Sequence, residues 1–409
     1  MVSTNRILRL KDILLVLSIS VFMLSCQKKT NSEVDVIEIN PLHAKESMNL
    51  SEIADSIKCV RLKNTSEKTM GMILEIVIKK NYIYAWDMSQ KIIFVFNKEG
   101  NYISKLDKCG EGPQDYYLGI GSLFIDENEE FVEIKDYTAL KKYKNISFEF
   151  VESTPFPKGI HCNTIKKTKD YYYCASDQFD NVVNGKKMNA ELLVLDKDYN
   201  ITPFFEKTIV TNNSYFGVNN ECFAENEKNE LFMSLLYDNK FYQLKDGAPF
   251  PILEIDFGKY AINKDVGLRT TEEQMNYMET SYGRVSYPLL CINNDDMLAF
   301  TYFYRERDEN RWLDEKDIHQ FLKLKKTGKE YHMKKIKNDM SEFPNYLYLS
   351  TCIFGCAHNK VHEGYLVDVV IPEDYFPDID EEIYVEGLGK ITAFDDPIVV
   401  FAKLKDFTK

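Results

Sequence analysis

Residues 92–106 read IIFVFNKEGNYISKL. A run of β-branched and aromatic residues, Ile92 to Phe96, stops at Asn97-Lys98-Glu99-Gly100-Asn101 and resumes from Tyr102 to Leu106. The flanks carry side chains that suit a pleated, half-buried surface. The centre carries the residues that tolerate tight or left-handed backbone. The stretch is therefore predicted as a β-hairpin. The same form recurs in LLVLDKDYNITPFFE (192–206), KFYQLKDGAPFPILEI (240–255) and HQFLKLKKTGKEYHMKKI (319–336), with a weaker copy in ALKKYKNISFEFVE (139–152). Turn-to-turn spacings of about 46, 53, 49 and 81 residues fall in the range of propeller blades.

Upstream of these hairpins lie further pairs of short strands, as in ILEIVIKKNYIYAWD (73–87), NTIKKTKDYYYCASD (163–177), CFAENEKNELFMSLLYD (222–238) and PLLCINNDDMLAFTYFYRE (288–306). One unit is thus four antiparallel strands, A to D, which is a propeller blade. Five units fit between residues 72 and 337. A sixth is assembled from both ends of the chain. YLSTCIFGCAHNKVHEGYLVDVVI (348–371) supplies strands A and B, DDPIVVFAKLKDF (395–407) supplies C, and the N-terminal SIKCVRLK (56–63) supplies D. This closure removes the open edges that a linear array leaves. The predicted fold is an all-β, six-bladed propeller of four-stranded blades over residues 37–409. RTTEEQMNYMETSY (269–282) departs from the pattern: Thr270 and Glu273 have capping-box spacing and predict a short helix between blades 4 and 5.

The glycine-rich DKCGEGPQDYYLG (107–119) joins strand D of blade 1 to strand A of blade 2. A phosphate loop needs Gly-x4-Gly-Lys-Ser/Thr leading into a helix. Here no Lys-Ser follows and the next element reads as a strand, so the segment is expected to be a corner.

The N-terminus has the form of an export signal. Arg6, Arg9 and Lys11 precede the apolar run ILLVLSISVFML (13–24), which is short for a membrane span. Met23-Leu24-Ser25-Cys26 resembles a bacterial lipobox, which implies cleavage after residue 25 and acylation of Cys26. Residues 26–36 then form a polar tether, and the membrane is met through the lipid alone. The chain carries a net charge of −13, and −15 once the signal, of net +2, is removed. That excludes a basic nucleic-acid footprint. A monomer is expected. Of the eight cysteines after Cys26, those inside strand-like runs are expected to be buried free thiols.

IYAWDMSQKIIFVFNKEGNYISKLDKCGEGPQDY (83–116), the lipobox and the closing PIVVFAKLKDF (397–407) together resemble the six-bladed β-propeller lipoproteins of Bacteroides and relatives, a family of unknown function. The similarity spans roughly residues 35–407 and extends more distantly to NHL-type propellers. The resemblance implies the fold and an envelope location, with no agreed chemistry. The family's corner reads Gly-x-Gly-Pro-Gly-Glu-Tyr. Here Gln114-Asp115-Tyr116 stands in its last three places, so any function of that acid falls to Asp115.

The long connections between strands B and C, at 177–190, 305–317 and 372–394, share one face of the disc with loop 107–119. Long loops on a rigid scaffold commonly bind. The candidate binding face is therefore Glu111, Asp115, Tyr116, Arg305, Arg307 and Trp312, with Trp312 placed to stack on a sugar or anchor a protein. Cys352, Cys356, His358 and His362 form the densest group of metal-type residues. Strand spacing separates i and i+4 by about 13 Å, so no metal is expected there, and Cys356, His358 and His362 remain weak candidates. No cofactor is predicted. A calcium in the central channel, held by carboxylates and carbonyls, is compatible with the composition. His319 and His332 fall in the blade 5 hairpin, away from the long loops. No Gly-x-Ser-x-Gly elbow occurs, and no catalytic residue is assigned.

Two functions follow. The first is a lipid-anchored outer-membrane protein, periplasmic in orientation because the tether lacks an early acidic run, binding a glycan, peptide or protein. It predicts a channel plugged by apolar side chains and an aromatic patch on the loop face. The alternative is a propeller hydrolase or lyase acting on saccharide or lactone-like substrates. It predicts a polar channel with converging carboxylates or histidines.

Overall fold

The computed structural model describes residues 34–116, 122–136, 139–162, 164–176, 180–183, 185–206, 222–307, 315–350, 356–376, 378 and 380–407. The lipobox, Trp312 and Cys352 lie outside them. Within them six mainly antiparallel sheets follow one another around a ring, with a separate two-stranded sheet beside them. Blade 1 is Ile73–Ile78, Tyr82–Asp87, Ile92–Asn97 and Tyr102–Leu106, the hairpin of 92–106 forming its outer half. Blade 2 runs from Ser122–Ile125 to Phe150–Pro155, and blade 3 from Thr164–Lys167 to Ile201–Glu206. Blade 4 runs from Phe223–Glu225 to Ala248–Asp256, and blade 5 from Val285–Asn293 to Glu330–Lys337.

The ring closes as the sequence predicts. Before the first blade the chain lays three strands along later ones. β1 (Asp35–Glu38) lies beside the outer strand of blade 4, and β2 (Lys45–Asn49) runs parallel to the outer strand of blade 5. β3 (Ala54–Arg61) pairs antiparallel with Ile398–Leu404 and becomes the outer strand of blade 6. The inner edge of that blade is split. Val361–His362 pairs within the blade, while Ala357–His358 runs parallel to the inner strand of blade 1.

Among the described residues the core is six apolar layers, each shared by two neighbouring blades, with a smaller cluster of Tyr237, Ile262 and Val266 beside them. Tyr84, Trp86 and Val95 of blade 1 meet Val132, Ile134 and Tyr143 of blade 2. Val60, Val367 and Val399 of blade 6 meet Ile76, Phe94 and Phe96 of blade 1. Both faces of a blade are therefore buried. That is why Met297–Tyr304 is apolar and buried along its whole length instead of alternating. Buried polar side chains satisfy backbone donors of the next blade: Ser122 Oγ accepts from Ile165 N–H at 2.9 Å, and Ser234 Oγ accepts from Leu290 N–H at 2.9 Å.

The helix expected between blades 4 and 5 is present as α1 (Thr271–Thr280). Thr270 Oγ1 accepts from Glu273 N–H, and the Glu273 carboxylate accepts from Thr270 N–H at 2.9 Å, which completes the capping box. Among the described residues no helix is long and apolar enough to cross a membrane.

Candidate functional site

The inner strands of the blades surround a central cavity of about 720 Å³. Its wall is mixed. Val77, Phe124, Ala224 and Leu289 supply apolar surface, and Glu75, Lys166 and Glu225 supply charge. Strand alternation explains the pattern, since one inner-strand side chain in two faces the axis and its neighbours enter the layers between blades. Glu75 of blade 1 thus faces the cavity while Ile76 is fully buried.

Lys166 of blade 3 extends its ammonium to 3.7 Å from the Glu75 carboxylate. Burial works against the charge. Glu75 and Glu225 more than offset it and hold the Lys166 pKa above the ordinary lysine value. Beside it Lys167 makes a 2.6 Å ion pair with Glu133 of blade 2. Lys142 lies 4.4 Å over the ring of Phe131. The cavity is therefore not plugged by apolar side chains, as the binding reading expects; it is polar in part and carries converging carboxylates rather than histidines. Two carboxylates from separate blades flank one lysine.

The A–B turns carry its mouth. Lys79, Glu127, Thr168, Lys169, Asn229 and Lys360 line it there. In a propeller these turns share a face with the C–D hairpins and stand opposite the B–C and D–A loops. The cavity thus reaches the hairpin side, not the loop-rich side on which the sequence places the candidate residues.

On that loop side three of the five described candidates, Asp115, Tyr116 and Arg305, are wholly or partly buried. Tyr116 is fully buried; its hydroxyl donates to Lys91 C=O at 2.6 Å and accepts from Lys108 N–H at 3.2 Å. Asp115 accepts from Gly112 N–H at 3.0 Å, and its carboxylate fills the space a Cβ on Gly110 or Gly112 would need. Lys141 and Tyr143 donate to Pro113 and Gln114 carbonyls at 3.2 and 2.8 Å. The segment 107–116 is a pinned corner, as its lack of a phosphate-loop pattern suggests. Arg305, expected on the exposed face, is only 2% exposed. A charge at the end of an apolar strand is read from sequence as solvated, and here it is folded inward. Glu111 and Arg307 are exposed.

Sequence reasoning missed a second hairpin on this face, Glu382–Val385 with Gly389–Thr392. Near it Tyr384 is 77% and Phe394 79% exposed. Gly387 and Gly389, both at positive φ, are the turn signal that marks it.

Among the described residues no group of three or more His, Cys, Asp or Glu side chains is placed to hold a metal. His358 belongs to the cavity wall, but its ring is fully buried, with Nδ1 2.9 Å from Cys356 C=O and Nε2 3.3 Å from Val367 C=O. Burial pushes its pKa down to about 3. The Cys356 thiol is buried at 3.5 Å from Ala357 C=O, and His362 Nε2 is 2.9 Å from Lys98 Nζ. His319 and His332 lie in the two paired strands of the blade 5 hairpin, where the sequence puts them, within the body of the blade. There the Tyr302 hydroxyl lies 2.5 Å from His332 Nε2 and 3.4 Å from His319 Nδ1.

Comparison with known proteins agrees with this architecture. A protein of Bacteroides fragilis described as exported superposes with a TM-score of 0.62 at 14% identity, over 91% of this chain and 100% of that one. A Bacteroides vulgatus member of the DUF4221 family superposes with a TM-score of 0.50 at 10% identity, over 86% of this chain and 98% of that one. At such identities the likeness speaks for the fold. A search of the curated proteins finds no match. Residues 34–403 match the profile of DUF4934, a domain of unknown function, and the chain belongs to that family.

Proposed function

We propose that this is an exported, lipid-anchored binding protein that takes a small polar ligand into the central cavity from the hairpin face. The observation that carries the reading is the cavity itself. Its volume of about 720 Å³ lies within the usual range of small-molecule sites, and it combines an apolar wall with a few oriented charges. Glu75, Lys166 and Glu225 give it both signs of charge at one level, which suits a ligand with hydroxyl, amine or carboxylate groups more than a plain hydrocarbon. The signal-like N-terminus, the lipobox and the Bacteroides neighbour described as exported support the location. The periplasmic side of the outer membrane is part of the same proposal.

The test is a thermal-shift screen of the purified protein against mono- and disaccharides, cell-wall peptides, calcium and zinc. A ligand at a hundredfold excess over its Kd adds about 2.7 kcal/mol to the stability of the protein. The expected result is a shift that Lys166→Met abolishes. A shift that survives Lys166→Met and Glu225→Gln places binding elsewhere and overturns the cavity reading.

A second reading rests on a different observation. Tyr384 and Phe394, nearly fully exposed on the loop side, suit a protein partner rather than a solute. Glu111, Arg307 and Trp312 belong to the same proposed face. Pull-down of a defined partner that Tyr384→Ala/Phe394→Ala abolishes, with no effect of Lys166→Met, would favour it. The hydrolase or lyase alternative would rest on Glu75 and Glu225, and turnover of a bound saccharide or lactone that Glu225→Gln stops would establish it.

A further inference from the structure

The A–B turn of blade 4, residues 226–230, closes the ladder of its own strands, Asn226 N–H donating to Glu230 C=O at 3.1 Å, and sends its side chains to other blades. Asn229 Nδ2 donates to Glu127 Oε1 of the blade 2 turn at 3.1 Å. Glu227 Oε1 accepts from Gly364 N–H, in the blade 6 turn, at 3.1 Å. Blades 2 and 6 are each two places away from blade 4, on either side, so these bonds cross the mouth instead of following the rim. On the blade 5 side the same turn is held twice: Asn226 Nδ2 donates to Asn293 C=O at 3.0 Å, and Lys228 Nζ meets Asp295 at 2.6 Å. Inside the turn, Asn226 Oδ1 accepts from Lys228 N–H and Glu230 N–H, both at 3.0 Å. The turn is therefore stiff in itself, fastened to its neighbour, and tied across the opening by two single exposed hydrogen bonds.

We propose that residues 226–230 form a hinged cover over the cavity mouth, with Glu127 and the Gly364 N–H as its two latches. The proposal rests on the reading of the cavity as a ligand site and adds how it is entered. Lone exposed hydrogen bonds are weak in water, so the latches open readily. The Asn226 and Lys228 contacts keep the cover attached to blade 5 while it swings. A ligand reaching Lys166 passes Asn229 and Glu127, and a ligand group that replaces either partner holds the cover in a new position.

The test needs no ligand, so its outcome is separate from that of the binding screen. Val77, which lines the cavity, is replaced in Val77→Cys, and reaction of the new thiol with a small methanethiosulfonate reagent is followed by peptide mass spectrometry. Adding Glu127→Ala is expected to speed labelling about threefold, and adding Glu127→Ala with Glu227→Ala about tenfold, the scale of one and two exposed hydrogen bonds. Asn229 is left in place because its φ of +59° suits asparagine. Glu127→Gln keeps an acceptor oxygen and is expected to label at the parental rate. Equal rates in all variants, or a Glu127→Gln rate matching Glu127→Ala, would overturn the proposal. So would a parallel rise at the fully buried Cys174, which would mark general loosening of the fold.

Discussion

Tyr116 meets three backbone groups of the blade 1 corner, at Lys91, Leu106 and Lys108, through one buried hydroxyl. Tyr116→Phe strands the Lys108 N–H and removes the donor to Lys91, so it is expected to cost about 1–2 kcal/mol of stability. Urea unfolding measures that, and ligand affinity should not move. Buried imidazoles make a second residue-scale prediction. Burial pushes the His319 pKa down to about 3, with His332 and Lys334 adding to it, and puts His332 at about 4 and His358 at about 3. Each is neutral in the fold near pH 7, and the unfolded chain takes up the proton first, below about pH 6.5. Their contribution is therefore intact above pH 6.5 and is lost as pH falls towards the folded values. At pH 4.5, His319 and His358 should each account for about 3 kcal/mol of lost stability. A urea midpoint that stays flat between pH 6.5 and 4.5 would contradict this. The residue scale was also the least legible in sequence. Arg305 reads as a surface charge because nothing local shows that it folds inward, and the glycine-proline setting of Asp115 and Tyr116 marks a corner without showing that both side chains are spent on holding it.

The capping box of α1 is a local device with a local price: Thr270→Ala should cost about 1 kcal/mol, read as faster hydrogen exchange in 271–280 with little change in the blades. Elements like this were the most legible part of the chain, since caps and tight turns are written in adjacent residues. Hairpin 92–106 and its copies were visible for the same reason. The hairpin at 382–392 was not, because each strand is only four residues long, although Ile383, Val385 and Ile391 alternate with polar or exposed neighbours and pack on the core. Its turn glycines were the remaining sign. The cavity was invisible at this scale. Its charged residues stand in ordinary inner strands, and nothing within TIKK (164–167) or ILEIVI (73–78) says that Lys166 and Glu75 meet across two blades.

At the scale of the molecule, closure by β3 was legible because a sixth blade lacked one strand and the N-terminal run supplied one of matching type. Its removal leaves Ile398–Leu404 as an open edge and exposes the layer containing Val60 and Val399. A chain beginning at residue 62 is therefore expected to lose its single cooperative thermal transition and to aggregate, as calorimetry with light scattering would record. Each apolar layer is shared by two blades, so a blade that opens also exposes its neighbours. The full ring should accordingly unfold in one step, despite its length.

The path of the N-terminal strands also orders how the molecule resists a pull. Tension applied at the N-terminal side meets β1 on blade 4 first, then β2 on blade 5, and reaches β3 only after both have yielded. A single-molecule extension trace should show two small early events before the ring gives way. The fastening of blade 6 is thus mechanically sheltered, and a body tugged by its leash keeps its circle intact until the outer wrapping has been stripped.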